Sequence, residues 1–265
     1  MIRAVAAVFA TLVLASATAA ADLMPDLVRG QDAYDRGIAL KADGKPEDAR
    51  AAFAESAALF RRVTQEGADN ADLHFNLGNA SVQSGELGRG IASYLRAQRL
   101  APHDSALNAN LATARSDVRT KLSGTVEGPF GSSIAWWRIV SERSRAIVSI
   151  VAWIGFWSLV APSVAGRKLP ASLRMVRGAA LTVAILVGAS VAADRWLAVA
   201  RPIGVITVDG VVLRKGNGEG FGPQVEEALT NGVEFGVLER RPQWLRVRLS
   251  DGTEGWIREA QAEVV

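Results

Sequence analysis

The sequence predicts a multidomain membrane protein: an all-α helical repeat, a two-helix transmembrane hairpin and a small all-β barrel. Three observations carry this. Apolar residues recur at helical spacing, with glycines at turn positions, across roughly the first half of the chain. Two long apolar runs flanked by arginine follow it. From Arg201 the pattern changes to short, β-branched runs punctuated by glycine.

Composition and charge narrow the function classes. The chain has 265 residues, 49% hydrophobic and 22% charged, so it is neither disordered nor a minimal single domain. It has no cysteine, which excludes disulfides, cysteine-ligated metals and a thiol nucleophile. Its two histidines, His74 and His103, give little material for a metal or His-based site. The net charge is +3, unevenly placed. Residues 1–21 carry +1, 22–130 carry −2, 131–200 carry +6 and 201–265 carry −2. The excess sits in the most apolar segment, as in the loops of a membrane protein, and not on a soluble face for nucleic acid.

Residues 1–21 read as a secretory signal peptide. Arg3 gives the positive start, Ala4 to Leu14 the apolar run, and Ala17 to Ala21 the small residues of a cleavage site. Cleavage after Ala21 is the preferred site, with Ala19 the alternative.

Residues 30–120 form the helical part. Between Ala71 and Asp104, Leu77-Gly78 are followed by Tyr94, Ala97 and Pro102. This pattern resembles the tetratricopeptide repeat, in which two antiparallel helices pack small residues against large ones. Gly78 then allows close helix contact, Tyr94 and Ala97 pack back, and Pro102 stops the second helix. Ser81 stands where that family usually has an aromatic, and Gly90 where it has alanine. An earlier copy carries Gly37, Leu40, Ala49 and Phe53. The step from Gly37 to Gly78 exceeds one repeat of that family by about two helical turns. The second helix should therefore be long, from Glu47 to about Glu66, ended by Gly67. Residues 105–121 read as the capping helix that such stacks require. The resemblance implies a peptide-binding groove, onto which Asn76, Asn79 and Asn110 map. Each amide offers a donor and an acceptor to a peptide backbone or carboxylate. Solvated side chains or hydrogen bonds between helices are the alternative roles.

Residues 131–200 form the membrane module. One span is read at 146–165, uncharged throughout, with Pro162 near its end. A second, at 178–195, is built on the apolar run Ala179 to Ala193 and reaches full length through snorkelling of Arg177 and Arg195. The loop 166–177 carries Arg167, Lys168, Arg174 and Arg177 and no acid, which makes it cytoplasmic by the positive-inside rule. Trp136, Trp137, Trp153, Trp157 and Trp196 read as an interfacial belt. This topology places both soluble parts on the periplasmic side of a bacterial inner membrane.

Residues 201–265 form the β part. Strands are predicted at Val205–Val208, Val211–Arg214, Val233–Leu238, Trp244–Leu249 and Glu254–Ile257, with Asp251-Gly252 as a hairpin turn. Val212 to Gly216, Thr230 to Val233, Gln243 to Val247 and Gly252 to Ile257 resemble, in that order, the signature steps of the bacterial SH3 domain. Trp244 and Trp256 are the candidate walls of a barrel groove. The run Gly216 to Gly222 lacks the Gly-Lys-Ser/Thr ending of a phosphate loop and reads as the long loop of the barrel.

The order of signal, repeat, hairpin and barrel resembles the tetratricopeptide-plus-SH3 component of bacterial aerotolerance (Bat) operons. The stretch from Ala71 to Asn110 is the most specific part of the match. The resemblance implies a non-enzymatic envelope scaffold without cofactors. Its implied partners are membrane-anchored von Willebrand factor A proteins and a MoxR-type ATPase. A peptidoglycan-binding anchor acting through the barrel is the alternative. The sequence shows no serine–histidine–aspartate set, no HExxH and no nucleotide loop.

Overall fold

In the computed structural model, residues 23–123, 140–164, 166, 170–200 and 202–265 are described. The expected signal peptide, Trp136, Trp137, Arg167 and Lys168 lie outside them. The described chain is mostly helical and ends in a small antiparallel sheet.

Helix α1 covers 23–42 and α2 Pro46–Gln65. The helical part thus begins well before the expected start at 30. Gly44, at φ 73°, turns the chain between them, and Pro46 enters α2 in its first turn, where no amide proton is needed. Gly67, at φ 97°, follows the end of α2. Helix α3 (Ala71–Ser84) starts where the Asn70 side chain accepts from the Leu73 N–H at 2.8 Å. It stops at Gly85 in the left-handed conformation. Helix α4 covers Leu87–Leu100 and α5 Ser105–Ser116. Asp104 caps α5 through the Leu107 N–H at 2.9 Å. The expected capping helix 105–121 is shorter in the structure, because the chain after Ser116 leaves helical geometry and packs on the β part.

The first two helical hairpins repeat one contact. A Cβ on Gly37 would lie 2.7 Å from the Phe53 ring, and one on Gly78 2.5 Å from the Tyr94 ring. Tyr34 packs on Phe53 with ring centroids 5.2 Å apart, and Phe75 on Tyr94 at 6.1 Å. Each hairpin buries the aromatic ring of one helix against the glycine of the other. Ser81 is fully buried, and among the described residues its hydroxyl has no hydrogen-bond partner.

Helices α6 (Glu142–Val164) and α7 (Ala171–Ala200) are long and apolar enough to cross a membrane and pack on each other. Almost none of their residues are fully buried within the described chain, which fits a membrane-associated hairpin. The second helix is longer than the expected 178–195 and takes in Arg174 and Arg177, which were expected in the loop. Its start at Ala171 follows Pro170, which is pre-set for a helix entry. Trp153 sits at the midpoint of α6 and packs with Phe156 and Trp157. Trp153 and Trp157 therefore lie within the helix and not at its ends.

Strands β1 (Ile203–Ile206), β2 (Glu234–Arg241), β3 (Trp244–Leu249), β4 (Glu254–Arg258) and β5 (Ala262–Val264) lie in the order β4-β3-β2-β1-β5. All named pairings are antiparallel. The expected strand Val211–Arg214 is only a series of isolated bridges, from Val211 to Leu229 and from Arg214 to Pro223 and Trp256. Pro223 has no amide proton to extend a ladder there. Strand β5 is short and half-exposed, so it left no apolar alternation to read.

One hydrophobic core joins the helices to the sheet. Ile91, Leu107, Leu111 and Val118 share a buried cluster with Ile206, Val233 and Phe235. Polar contacts close its rim. Thr120 and Thr230 each donate a backbone N–H to the other's hydroxyl, at 3.0 and 3.1 Å. The Gly88 N–H donates to the Asn231 side chain at 2.8 Å, and Arg115 holds Glu234 through two bonds of 2.6 and 2.8 Å.

Candidate functional site

The three asparagines divide. Asn79 and Asn110 meet: the Asn110 amide donates to Asn79 Oδ1 at 2.8 Å, and the Tyr94 hydroxyl donates to the same oxygen at 2.7 Å. This knot ties α3, α4 and α5 together and occupies both lone pairs of one carbonyl oxygen. Burial pushes the Tyr94 hydroxyl well above its ordinary pKa, so it stays a donor at any physiological pH. Asn76 is half-buried one turn away, and among the described residues its side chain has no hydrogen-bond partner. Of the three, Asn76 is the one whose full hydrogen-bonding capacity is free for a ligand.

The two tryptophans share the outer face of the sheet but differ in burial. Trp256 is only 8% exposed; the Arg241 guanidinium lies 4.9 Å from its ring centroid. Trp244 is half-buried, with Arg258 5.7 Å from its ring. Both are cation–π geometries. The arginines around them are engaged. Glu254 accepts from Arg248 at 2.9 Å and from Arg246 at 3.0 Å, and the Arg248 hydrogen bond foremost holds its carboxyl below the usual range. Glu219 is depressed in the same way, by Arg258 first and by the charge of Arg214. This face is thus a ladder of matched charges around one buried and one accessible indole.

A third feature was not foreseen from the sequence. A cleft of about 730 Å³ lies between α2, α3, α4 and β5. Arg61, Thr64, Arg89, Ser93, Arg96 and Arg99 contribute to its wall. Arg61 and Arg89 converge on Glu86, at 2.8 and 2.6 Å. Arg96 pairs with Glu263 and donates to the Val264 carbonyl at 3.1 Å; Arg99 donates to the Val265 carbonyl at 2.8 Å. His74 closes one side, its Nε2 2.8 Å from Asp69 and its buried Nδ1 without a partner among the described residues. The available signal was the spacing 89, 93, 96 on one face of α4. Arg61 and β5 join that face only through the fold.

No protein-family model and no curated protein matches the chain. Among the described residues, no group of three or more His, Asp or Glu is placed to hold a metal ion.

Proposed function

We propose that the chain is a non-enzymatic membrane scaffold whose tetratricopeptide-like helices and SH3-like barrel act as one body beside a membrane hairpin. The observation that carries this is the shared core running from Ile91 and Leu111 to Ile206 and Phe235. Two parts that share a core lie on the same side of a bilayer. A hairpin of two spanning helices between them returns the chain to that side, in agreement with the basic loop. With the signal-like start, that side is the periplasm of a bacterial envelope, and 166–177 faces the cytoplasm.

The repeated glycine–aromatic hairpin supports the tetratricopeptide reading, and the five-stranded antiparallel sheet supports the barrel reading. A scaffold of the aerotolerance-operon type would meet membrane-anchored von Willebrand factor A proteins and, through them, a MoxR-type ATPase.

The test is protease protection of the full chain in spheroplasts, with tags at residues 22 and 265, followed by crosslinking and identification of neighbours. Removal of both tags from outside and capture of membrane-anchored partners is the expected result. Protection of one tag sinks the topology. Co-sedimentation with purified peptidoglycan and no protein neighbour would replace the scaffold by a wall anchor.

A further inference from the structure

We infer that the arginine-lined cleft between α2, α3, α4 and β5 is a docking site for an extended acidic peptide segment of a partner protein. The inference rests on the scaffold reading above and names the surface and the chemistry of the docked segment. The cleft lies apart from the three asparagines. His74 is roughly 140–160° around α3 from Asn79 and Asn76, so α3 presents the two sites on opposite faces.

The cleft already displays the chemistry it selects. Arg96 and Arg99 take the Val264 and Val265 carbonyls and the Glu263 carboxylate, all on an extended segment of the chain itself. At the other end Arg61 and Arg89 share one carboxylate, Glu86, which leaves two guanidiniums matched by a single negative charge. Both are partly open to solvent, with side chains 33% and 46% exposed. Guanidinium forks bind carboxylates in paired hydrogen bonds, which favours a carboxylate-bearing ligand over a neutral one.

The dimensions fit a strand-like ligand. Arg89 and Arg99 are nearly three turns apart on α4, about 15 Å along the axis. That is the reach of about four or five extended residues. The rest of the wall is mixed: Ala68, Leu77 and Leu100 are apolar, Ser93 is small and polar, and Asp69 and Glu263 are acidic. An acidic segment would run beside β5, with carboxylates at the Arg61–Arg89 end. A bare anion would fill only that end and leave the rest of the cleft empty.

The test uses the full chain in detergent with fluorescein-labelled hexaglutamate, read by anisotropy, with hexaglutamine as the control. Hexaglutamate should bind and hexaglutamine should not, and binding should weaken as salt is raised. Arg61→Gln with Arg89→Gln should weaken binding about tenfold while leaving the circular dichroism spectrum and Tm unchanged. Absence of binding at low salt, or equal binding by the double variant, overturns the inference. Displacement by inorganic phosphate at equal or lower concentration than by unlabelled hexaglutamate also overturns it, in favour of a free-anion site. The two readings fail separately. Capture of the same membrane neighbours by wild type and double variant keeps the scaffold and removes this cleft as its docking surface. Hexaglutamate binding that depends on Arg61 and Arg89, without any captured neighbour, keeps the cleft and removes the scaffold.

Discussion

Gly78 lies so close to the ring of Tyr94 that a Cβ on the glycine would sit 2.5 Å from ring carbons Cδ1 and Cε1. The ring has no easy retreat, because its hydroxyl is bonded to Asn79 on the glycine's own helix. Gly37 and Phe53 make the same arrangement in the preceding hairpin, with a ring that lacks the hydroxyl anchor.

Gly78→Ala should therefore destabilise the helical part by about 1–3 kcal/mol, the usual cost of forcing extra volume into a packed core. Gly37→Ala should cost less, since the Phe53 ring is held by packing alone. Tm values of the two variants in the same detergent check the order. Equal losses would mean that the Tyr94 hydroxyl does not fix the ring.

The repeat was legible because its signal is local. Glycine and aromatic stand at the same spacing in each copy, Gly37 with Phe53 and Gly78 with Tyr94, and the turns are written in Gly44, Gly67 and Gly85. The shared core was not legible. Val118 meets Gly232, where a Cβ would stand 2.7 Å from the valine, yet the whole apolar hairpin separates the two in sequence. The asparagines were found by pattern, but the pattern could not show that Asn79 and Asn110 would spend their amides on each other. The arginines of the cleft come from two helices and face a short strand with no alternation, so spacing carries a signal only for the part on α4.

Acid should loosen the junction between the helices and the sheet. Asp209 accepts from the Asn231 N–H at 3.0 Å and pairs with Arg119 at 2.7 Å. The Asn231 hydrogen bond first, then Arg119, hold its carboxyl below the usual range. A carboxyl with a depressed folded pKa adds stability above its unfolded value of ~3.9 and loses it as pH falls through the folded value. The stability advantage of wild type over Asp209→Asn should then be constant near neutrality, begin to shrink as pH falls below about 4 and vanish below the folded value. Urea midpoints of both proteins across that range measure it. The pair is exposed, so the advantage is small; one that persists in acid would show that Asp209 acts by shape and not by charge.

The hairpin carries its own lock. Arg145 pairs with Asp194 at 2.6 Å and donates to the Ser190 hydroxyl at 2.9 Å, with both charged side chains about nine-tenths buried. One turn on, Ser149 donates to the Ala184 carbonyl at 3.0 Å and faces Gly188. Breaking a buried pair strands the remaining charge, which costs far more than the pair contributes. Since the chain has no cysteine, Ser149→Cys with Gly188→Cys gives a clean crosslink reporter. Adding Asp194→Ala should reduce the crosslink yield several-fold, and adding both Arg145→Ala and Asp194→Ala should recover part of it. A yield unaffected by Asp194→Ala would mean that small-residue packing alone holds the helices together.

The two sheet tryptophans should separate stability from binding. Trp256 is nearly buried, opposite Arg246 on β3, and bridges to Arg214 through paired backbone bonds of 2.8 and 2.9 Å. Trp256→Ala removes a large buried ring and should cost about 3–5 kcal/mol. Any loss of ligand binding in that variant follows from unfolding of the sheet. Trp244 sits at the β2–β3 turn, half-exposed, with one face covered by Arg258. Trp244→Ala should cost about 1 kcal/mol or less, the scale of an exposed cation–π contact. It is therefore the variant that reports on the outer face. If the sheet holds cell-wall fragments, Trp244→Ala should lose their co-sedimentation while its thermal melt stays close to wild type. Retained co-sedimentation with an unchanged melt would remove the indole from that surface and leave the arginine–glutamate ladder to hold the fragments.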